Sequence, residues 1–227
     1  MKILVVNPNT TASMTTKIAA AARAIARPDT EIIAVNSQNG PPSIQGYLDI
    51  AACVPGLLAA IKQHPNVDAI VIACFDDTGL DAVRALVSVP VLGIGEAAYH
   101  AASMIAAKFS VITTLSRSVP GLEDNLLRYG LMQKCVRVRA TDIPVLKLED
   151  GDPATLDVIR TEIKAAITED YAEAIILGCA GMTDLMAQLS AEFGLPIIDG
   201  VTAGVTFAEA LVNNGLKTSK IGAYAPA

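Results

Sequence analysis

Short apolar runs bounded by turn residues alternate with Ala-rich stretches of helical period along the chain. Residues 3–7 read as a buried strand, and residues 11–27 as a helix with Met14, Ile18, Ala21 or Ala22, and Ile25 on one face. Residues 31–36 form the next strand; after a Gly/Pro/Ser loop at 37–46, residues 47–63 form a helix closed by His64-Pro65. The alternation continues with a strand at 69–74, a helix at 79–87, a strand at 91–93 and a helix at 96–107. Continuous Val/Ile runs separated by helices predict a parallel sheet covered on both faces.

From residue 108 the pattern restarts. Lys2-Ile3-Leu4-Val5-Val6-Asn7 is echoed by Lys108-Phe109-Ser110-Val111-Ile112-Thr113. The run from Asp68 to Cys74 is echoed by the run from Glu173 to Cys179, and Pro90-Val91-Leu92-Gly93 by Pro196-Ile197-Ile198-Asp199. The three echoes keep one order and nearly one offset. Any α/β chain repeats apolar letters, but that does not place a Cys at the end of the same strand twice. The expected fold is α/β, with two similar lobes related by a pseudo-twofold axis. Each lobe has a mainly parallel sheet covered by helices, and the active site lies in the cleft between them. The first lobe is expected to comprise 1–97 plus 205–227 and to carry Cys74; the second, 98–204, carries Cys179. The carboxyl-terminal segment 204–227 is expected to pack back on the first lobe.

Composition removes other readings. A chain of 227 residues that is 52% hydrophobic is long and apolar enough to bury a core without disulfides or metal. A net charge of −6 and 4% aromatics with no Trp argue against a nucleic-acid partner, which requires basic and base-stacking surfaces. The mean hydropathy of +0.45 raises the question of a membrane span, but the apolar runs 69–75 and 174–182 fall far short of about 20 residues. The opening apolar stretch ends at Asn7-Pro8-Asn9, which reads as strand and turn rather than signal peptide. The expected compartment is therefore the cytoplasm, with Cys53, Cys74, Cys135 and Cys179 reduced.

Candidate chemistry concentrates on two of those cysteines. Cys74 and Cys179 each end a buried strand and precede a turn, and open parallel sheets bind ligands at the carboxyl ends of their strands. Facing lobes would aim both sulfurs into one cleft from opposite sides. One thiolate then takes a proton from carbon while the opposing thiol delivers one to the other face, inverting a stereocentre with no cofactor. The turns Phe75-Asp76-Asp77-Thr78-Gly79 and Ala180-Gly181-Met182-Thr183 should bring backbone N–H groups to the sulfurs, favouring thiolate and an enolate-like oxygen. Small residues at Gly178, Ala180 and Gly181 let a ligand approach the backbone. Cys53 and Cys135 read as packing residues, Asp77 as a helix cap, and Asp76 as either turn or site. Thr113 and Thr114 end a strand where Asn7 ends its counterpart, and read as polar ligand holders or as turn residues.

Other motifs fall away. Gly93-Ile94-Gly95-Glu96-Ala97-Ala98 matches a dinucleotide fingerprint, but no acidic residue follows about 20 positions on, and Glu96 would repel a pyrophosphate. The cysteine spacings fit no zinc pattern, and the only histidines are His64 and His100, so neither a metal site nor a Ser/His triad is expected.

Cys74 in ACFDDTGLD, Cys179 in ILGCAGM, the opening ILVVNPNT and the loop Gly40-Pro41-Pro42-Ser43-Ile44-Gln45-Gly46 together resemble the hydantoin racemases of the aspartate/glutamate racemase superfamily. The likeness spans essentially the whole chain. It implies cofactor-independent racemisation of 5-monosubstituted hydantoins at C5, a homo-oligomer, and Cys74 and Cys179 as the acid/base pair. Carried over by motif, Asn7, Ser43, Ile44, Phe75, Asp76, Thr78, Thr113, Thr114, Gly178, Ala180 and Gly181 are the substrate-binding positions. A neutral ring demands no Arg or Lys clamp, and the site motifs contain none. The related allantoin racemases favour Gly after the first Cys and Pro before the next Gly. Phe75 and Thr78 stand at those places here, which leans toward an apolar 5-substituent; allantoin and acidic amino acids are the alternative substrates.

Overall fold

A computed structural model describes residues 1–225. The first half runs β1 (Lys2–Asn7), α1 (Ala12–Ile25), β2 (Glu31–Asn36), α2 (Tyr47–Lys62), β3 (Ala69–Ile72), α3 (Leu80–Leu86), β4 (Val91–Gly93) and α4 (Ile94–Ile105). The second repeats it with β5 (Phe109–Thr113), α5 (Val119–Arg128), β6 (Cys135–Ala140), α6 (Pro153–Thr168), β7 (Ala174–Leu177), α7 (Met186–Phe193), β8 (Ile197–Asp199) and α8 (Gly200–Asn213). Each half forms a four-stranded parallel sheet, ordered β2-β1-β3-β4 and β6-β5-β7-β8. The register repeats as well: Val6 pairs with Ile72 and Ile112 with Leu177, so each cysteine leaves the sheet two residues beyond a matched pair.

Alternation along the strands divides the core into three layers. Leu4, Val6, Ile70 and Ile72 face outward onto Leu57, Ile61, Leu80 and Val83 of α2 and α3. Ile112, Ile175 and Leu177 do the same against Ile159 and Ile163 of α6 and Leu189 of α7. The residues between them, Ile3, Val5 and Val71 from one sheet and Phe109, Val111 and Ile176 from the other, meet in one central core. That core is closed by exchanged helices: α4 leaves the first sheet to pack on β7 and β8, and α8 leaves the second to pack on α1, β3 and β4. Two lobes sharing a core this way form a two-lobed α/β fold with a cleft between the strand ends.

One detail departs from the sequence reading. Ile25 is 46% exposed at the end of α1, whose buried face is instead Met14, Thr15, Ile18, Ala19 and Ala22, because Ile25 is the last helical residue and the chain turns extended at Ala26. The C-terminal segment hooks onto the first lobe through the Thr218 N–H on Ser88 O and the Lys220 ammonium on Arg84 O; the last two residues of the expected segment lie outside the described residues. Among the described residues, no helix is long and apolar enough to cross a membrane, and no cluster of three His, Cys, Asp or Glu is placed to hold a metal.

Candidate active site

A cleft of about 420 Å³, including its open mouth, lies between the carboxyl ends of the two sheets, lined by Cys74 from one lobe and Cys179 from the other. Each strand delivers its cysteine into a turn, and the two turns are built alike. The Asp76 N–H interacts with the Cys74 sulfur and the Gly181 N–H with the Cys179 sulfur, two residues downstream in both cases. The Thr78 hydroxyl adds a 3.7 Å contact to Cys74 Sγ. Burial is the largest influence on both thiols: it pushes Cys179 up to about 12 and holds Cys74 well above the usual range. These donors oppose that shift by favouring the thiolate. Asp76 lies close enough to raise both thiols, and burial pushes its own carboxyl up to about 6.

The residues singled out from sequence divide into two groups. Ile44, Phe75, Asp76, Thr113, Thr114, Gly178 and Ala180 line the cleft with the two cysteines. Asn7, Ser43, Thr78 and Gly181 stand one layer behind. The Asn7 carboxamide donates to Asn9 Oδ1 and Thr15 Oγ1, and Ser43 Oγ accepts from Gln45. In the turn that follows β1, the residue that lines the cleft is Asn9, held by the Thr11 N–H and by Asn7. The pattern Asn7-Pro8-Asn9 contained it, yet an Asn after a turn Pro reads as turn chemistry. Met14, Ser118 and Val145 also line the cleft; Met14 read only as a core residue of its helix, and nothing in the sequence around Ser118 and Val145 marked them. The Phe75 ring packs edge-on against Tyr99 at 5.3 Å, so it serves the core as well as the cleft wall.

Asp77 caps a helix, but not its own. With a φ of 52° it turns away from α3, and its carboxylate accepts the Gly95 and Glu96 N–H groups at the start of α4, at 2.9 and 2.7 Å. The Tyr129 hydroxyl, beyond α5, donates to the same carboxylate at 2.8 Å. Burial pushes Asp77 up to about 7 against the pull of these three donors. The glycines of the rejected dinucleotide motif find their reason here. A Cβ on Gly93 would stand 1.9 Å from Asp77 Oδ1, and one on Gly95 would stand 2.3 Å from the Phe75 carbonyl oxygen. Cys53 is buried in α2 and is pushed up to about 11, chiefly by burial. Cys135 begins β6.

Two parallel-sheet lobes that bring a cysteine from each equivalent strand end to one cleft define a two-lobed α/β enzyme with its site between the lobes. The family profile described as Asp/Glu/Hydantoin racemase matches residues 3–208. The chain is 48% identical over 227 residues to a hydantoin racemase of Rhizobium meliloti, covering 99% of this chain and 94% of that protein. It is 47% identical over 226 residues to a hydantoin racemase of Pseudomonas sp. (strain NS671), covering 99% and 91%. It superposes on the solved allantoin racemase from Klebsiella pneumoniae with a TM-score of 0.97 at 46% identity, covering 100% of this chain and 94% of that one. The chain belongs to the Asp/Glu/Hydantoin racemase family and is an isomerase.

Proposed function

We propose that the protein racemises 5-monosubstituted hydantoins by proton exchange at C5, with Cys74 and Cys179 as the two bases. The observation that carries this reading is the matched pair of thiols lining one cleft, each supplied with a backbone N–H from two residues downstream. A hydantoin C5–H flanks a carbonyl, so removing the proton gives an enolate, and polar donors of the cleft are the groups to stabilise it. One cysteine, as thiolate, takes the proton; the other, as thiol, gives one to the opposite face. The pair ends with its charge exchanged, ready for the other enantiomer, and no atom beyond the proton is transferred. In this reading Asn9, Thr113 and Thr114 bind the ring's polar edges. Met14, Ile44, Phe75 and Val145 form the apolar wall against the 5-substituent.

Allantoin, a 5-ureidohydantoin, is the second reading, supported by the likeness to the solved Klebsiella pneumoniae enzyme. Rates of optical-rotation loss on enantiopure 5-benzylhydantoin, allantoin and aspartate separate the readings. The proposal expects turnover of a hydantoin and none of aspartate, because the cleft lining offers no cation for an α-carboxylate. Turnover of aspartate alone overturns it. We also propose that the lobes divide at 97/98 and 204/205, within α4 and α8, and that the protein is a homo-oligomer.

A further inference from the structure

The first helix of each lobe reaches across the cleft to the other lobe's cysteine turn. From α5, the Asn125 carboxamide donates to the Asp76 carbonyl at 3.0 Å; from α1, the Lys17 ammonium donates to the Gly181 carbonyl at 3.4 Å. Asp76 and Gly181 are the two residues whose N–H groups serve the sulfurs. The two clamps thus grip equivalent residues, yet one is neutral and the other cationic. Lys17 is well anchored: it also donates to Leu148 O at 3.4 Å and pairs at 3.5 Å with Glu149 and Asp184, with only 21% of its side chain exposed.

We propose that Lys17 is a positioning residue for Cys179: it fixes the turn that serves this sulfur and makes Cys179, rather than Cys74, the thiol that ionises first. The inference rests on the two-cysteine reading above for its role in catalysis, but its electrostatic content stands without it. Cys179 faces Lys17 from α1, Asp76 from the β3–α3 turn and Glu149 from the turn before α6; Lys17 is the cation that favours its thiolate. Cys74 faces Asp76 and Cys53, both of which disfavour negative charge there. An enzyme that needs one thiolate and one thiol gains from such a bias, because it keeps the second proton on the opposing sulfur.

The test is the pH dependence of iodoacetamide alkylation at each cysteine in the full chain, read peptide by peptide by mass spectrometry. Lys17→Met keeps the aliphatic stem and removes the charge. It is expected to slow Cys179 alkylation at neutral pH about tenfold, the equivalent of one pKa unit, and to leave Cys74 unchanged. Lys17→Arg should restore Cys179. Asn125→Ala, the neutral clamp, should alter Cys74 and spare Cys179. Equal slowing at both cysteines in Lys17→Met, or none at either, overturns the proposal. So does faster alkylation of Cys74 than of Cys179 in the unaltered protein. Because alkylation needs no substrate, a protein inactive on hydantoins would sink the functional reading while leaving this result interpretable. A melting curve for each variant identifies misfolding; if Lys17→Met melts early, the comparison passes to Lys17→Gln, with the same expected and opposing results.

Discussion

Asp77→Ala removes the one carboxylate that joins the Cys74 turn, the start of α4 and the region after α5. Three donors lose their acceptor: the Gly95 and Glu96 N–H groups and the Tyr129 hydroxyl. The site is 6% exposed, so water replaces the carboxylate poorly. Each orphaned N–H costs about 1–2 kcal/mol, and the tyrosine bond about 1 kcal/mol more. Holding Ala at a φ of 52° adds about 1 kcal/mol over a residue that accepts the left-handed region. Below about pH 6, where this raised carboxyl is mostly protonated and its removal relieves no buried charge, the sum is about 4–6 kcal/mol, a large share of the about 5–15 kcal/mol that stabilises a typical domain. For a chain of this length that corresponds to a fall of about 10–20 °C in melting temperature. Differential scanning calorimetry on the unaltered protein, Asp77→Ala and Asp77→Asn is the assay. Asn tolerates the left-handed backbone and keeps one acceptor oxygen, so it should lose less than half as much. A melting temperature for Asp77→Ala within about 3 °C of the unaltered protein, on the same scale, would refute the claim that this carboxylate ties the turn to α4.

Other outcomes follow from the same geometry. Gly95→Ala drives a Cβ into the Phe75 carbonyl oxygen, and should lower the melting temperature and alter Cys74 alkylation together. Gly178→Ala, whose Cβ would stand 3.0 Å from Ile112 O and 3.2 Å from Thr113 Cα, should reduce turnover by displacing Thr113 from the cleft wall. Cys53→Ala, in α2 and outside the cleft lining, should retain racemase activity while losing stability, as a kinetic assay beside a melt will show. Asp76 and Asp77 have folded-state values of about 6 and about 7, above the ordinary 3.8. The folded state therefore binds more protons between pH 4 and 7, and their contribution to stability falls as pH rises through that window. Denaturant titrations at pH 4.5 and 7.5 should show the unaltered protein losing stability relative to Asp77→Asn.

The sheet scaffold was legible because buried parallel strands are written as continuous Val/Ile runs, and duplication wrote them twice. Ile3–Val6 and Phe109–Ile112 needed no long-range information to be read as equivalent, nor did the cysteines at 74 and 179. What depends on distant contacts was hidden. Asp77 looked like a cap of the helix after it, since capping is local in sequence; its true partner lies 18 residues on, reached by a left-handed turn. Gly93 and Gly95 looked like a phosphate loop because the same absence of side chains serves any close backbone approach. Lys17 carried no local signal, and only the packing of α1 against the Cys179 turn turns it inward.

Cys74 and Cys179 are proposed to exchange the C5 proton from opposite faces. The most direct measurement of this exchange follows an enantiopure 5-substituted hydantoin in heavy water by polarimetry and proton NMR, with the unaltered protein, Cys74→Ala and Cys179→Ala. The unaltered protein should lose rotation with deuterium entering C5, and neither variant should show net racemisation, each retaining at most exchange on one enantiomer. Racemisation at the unaltered rate by Cys74→Ala or Cys179→Ala would contradict the two-cysteine exchange.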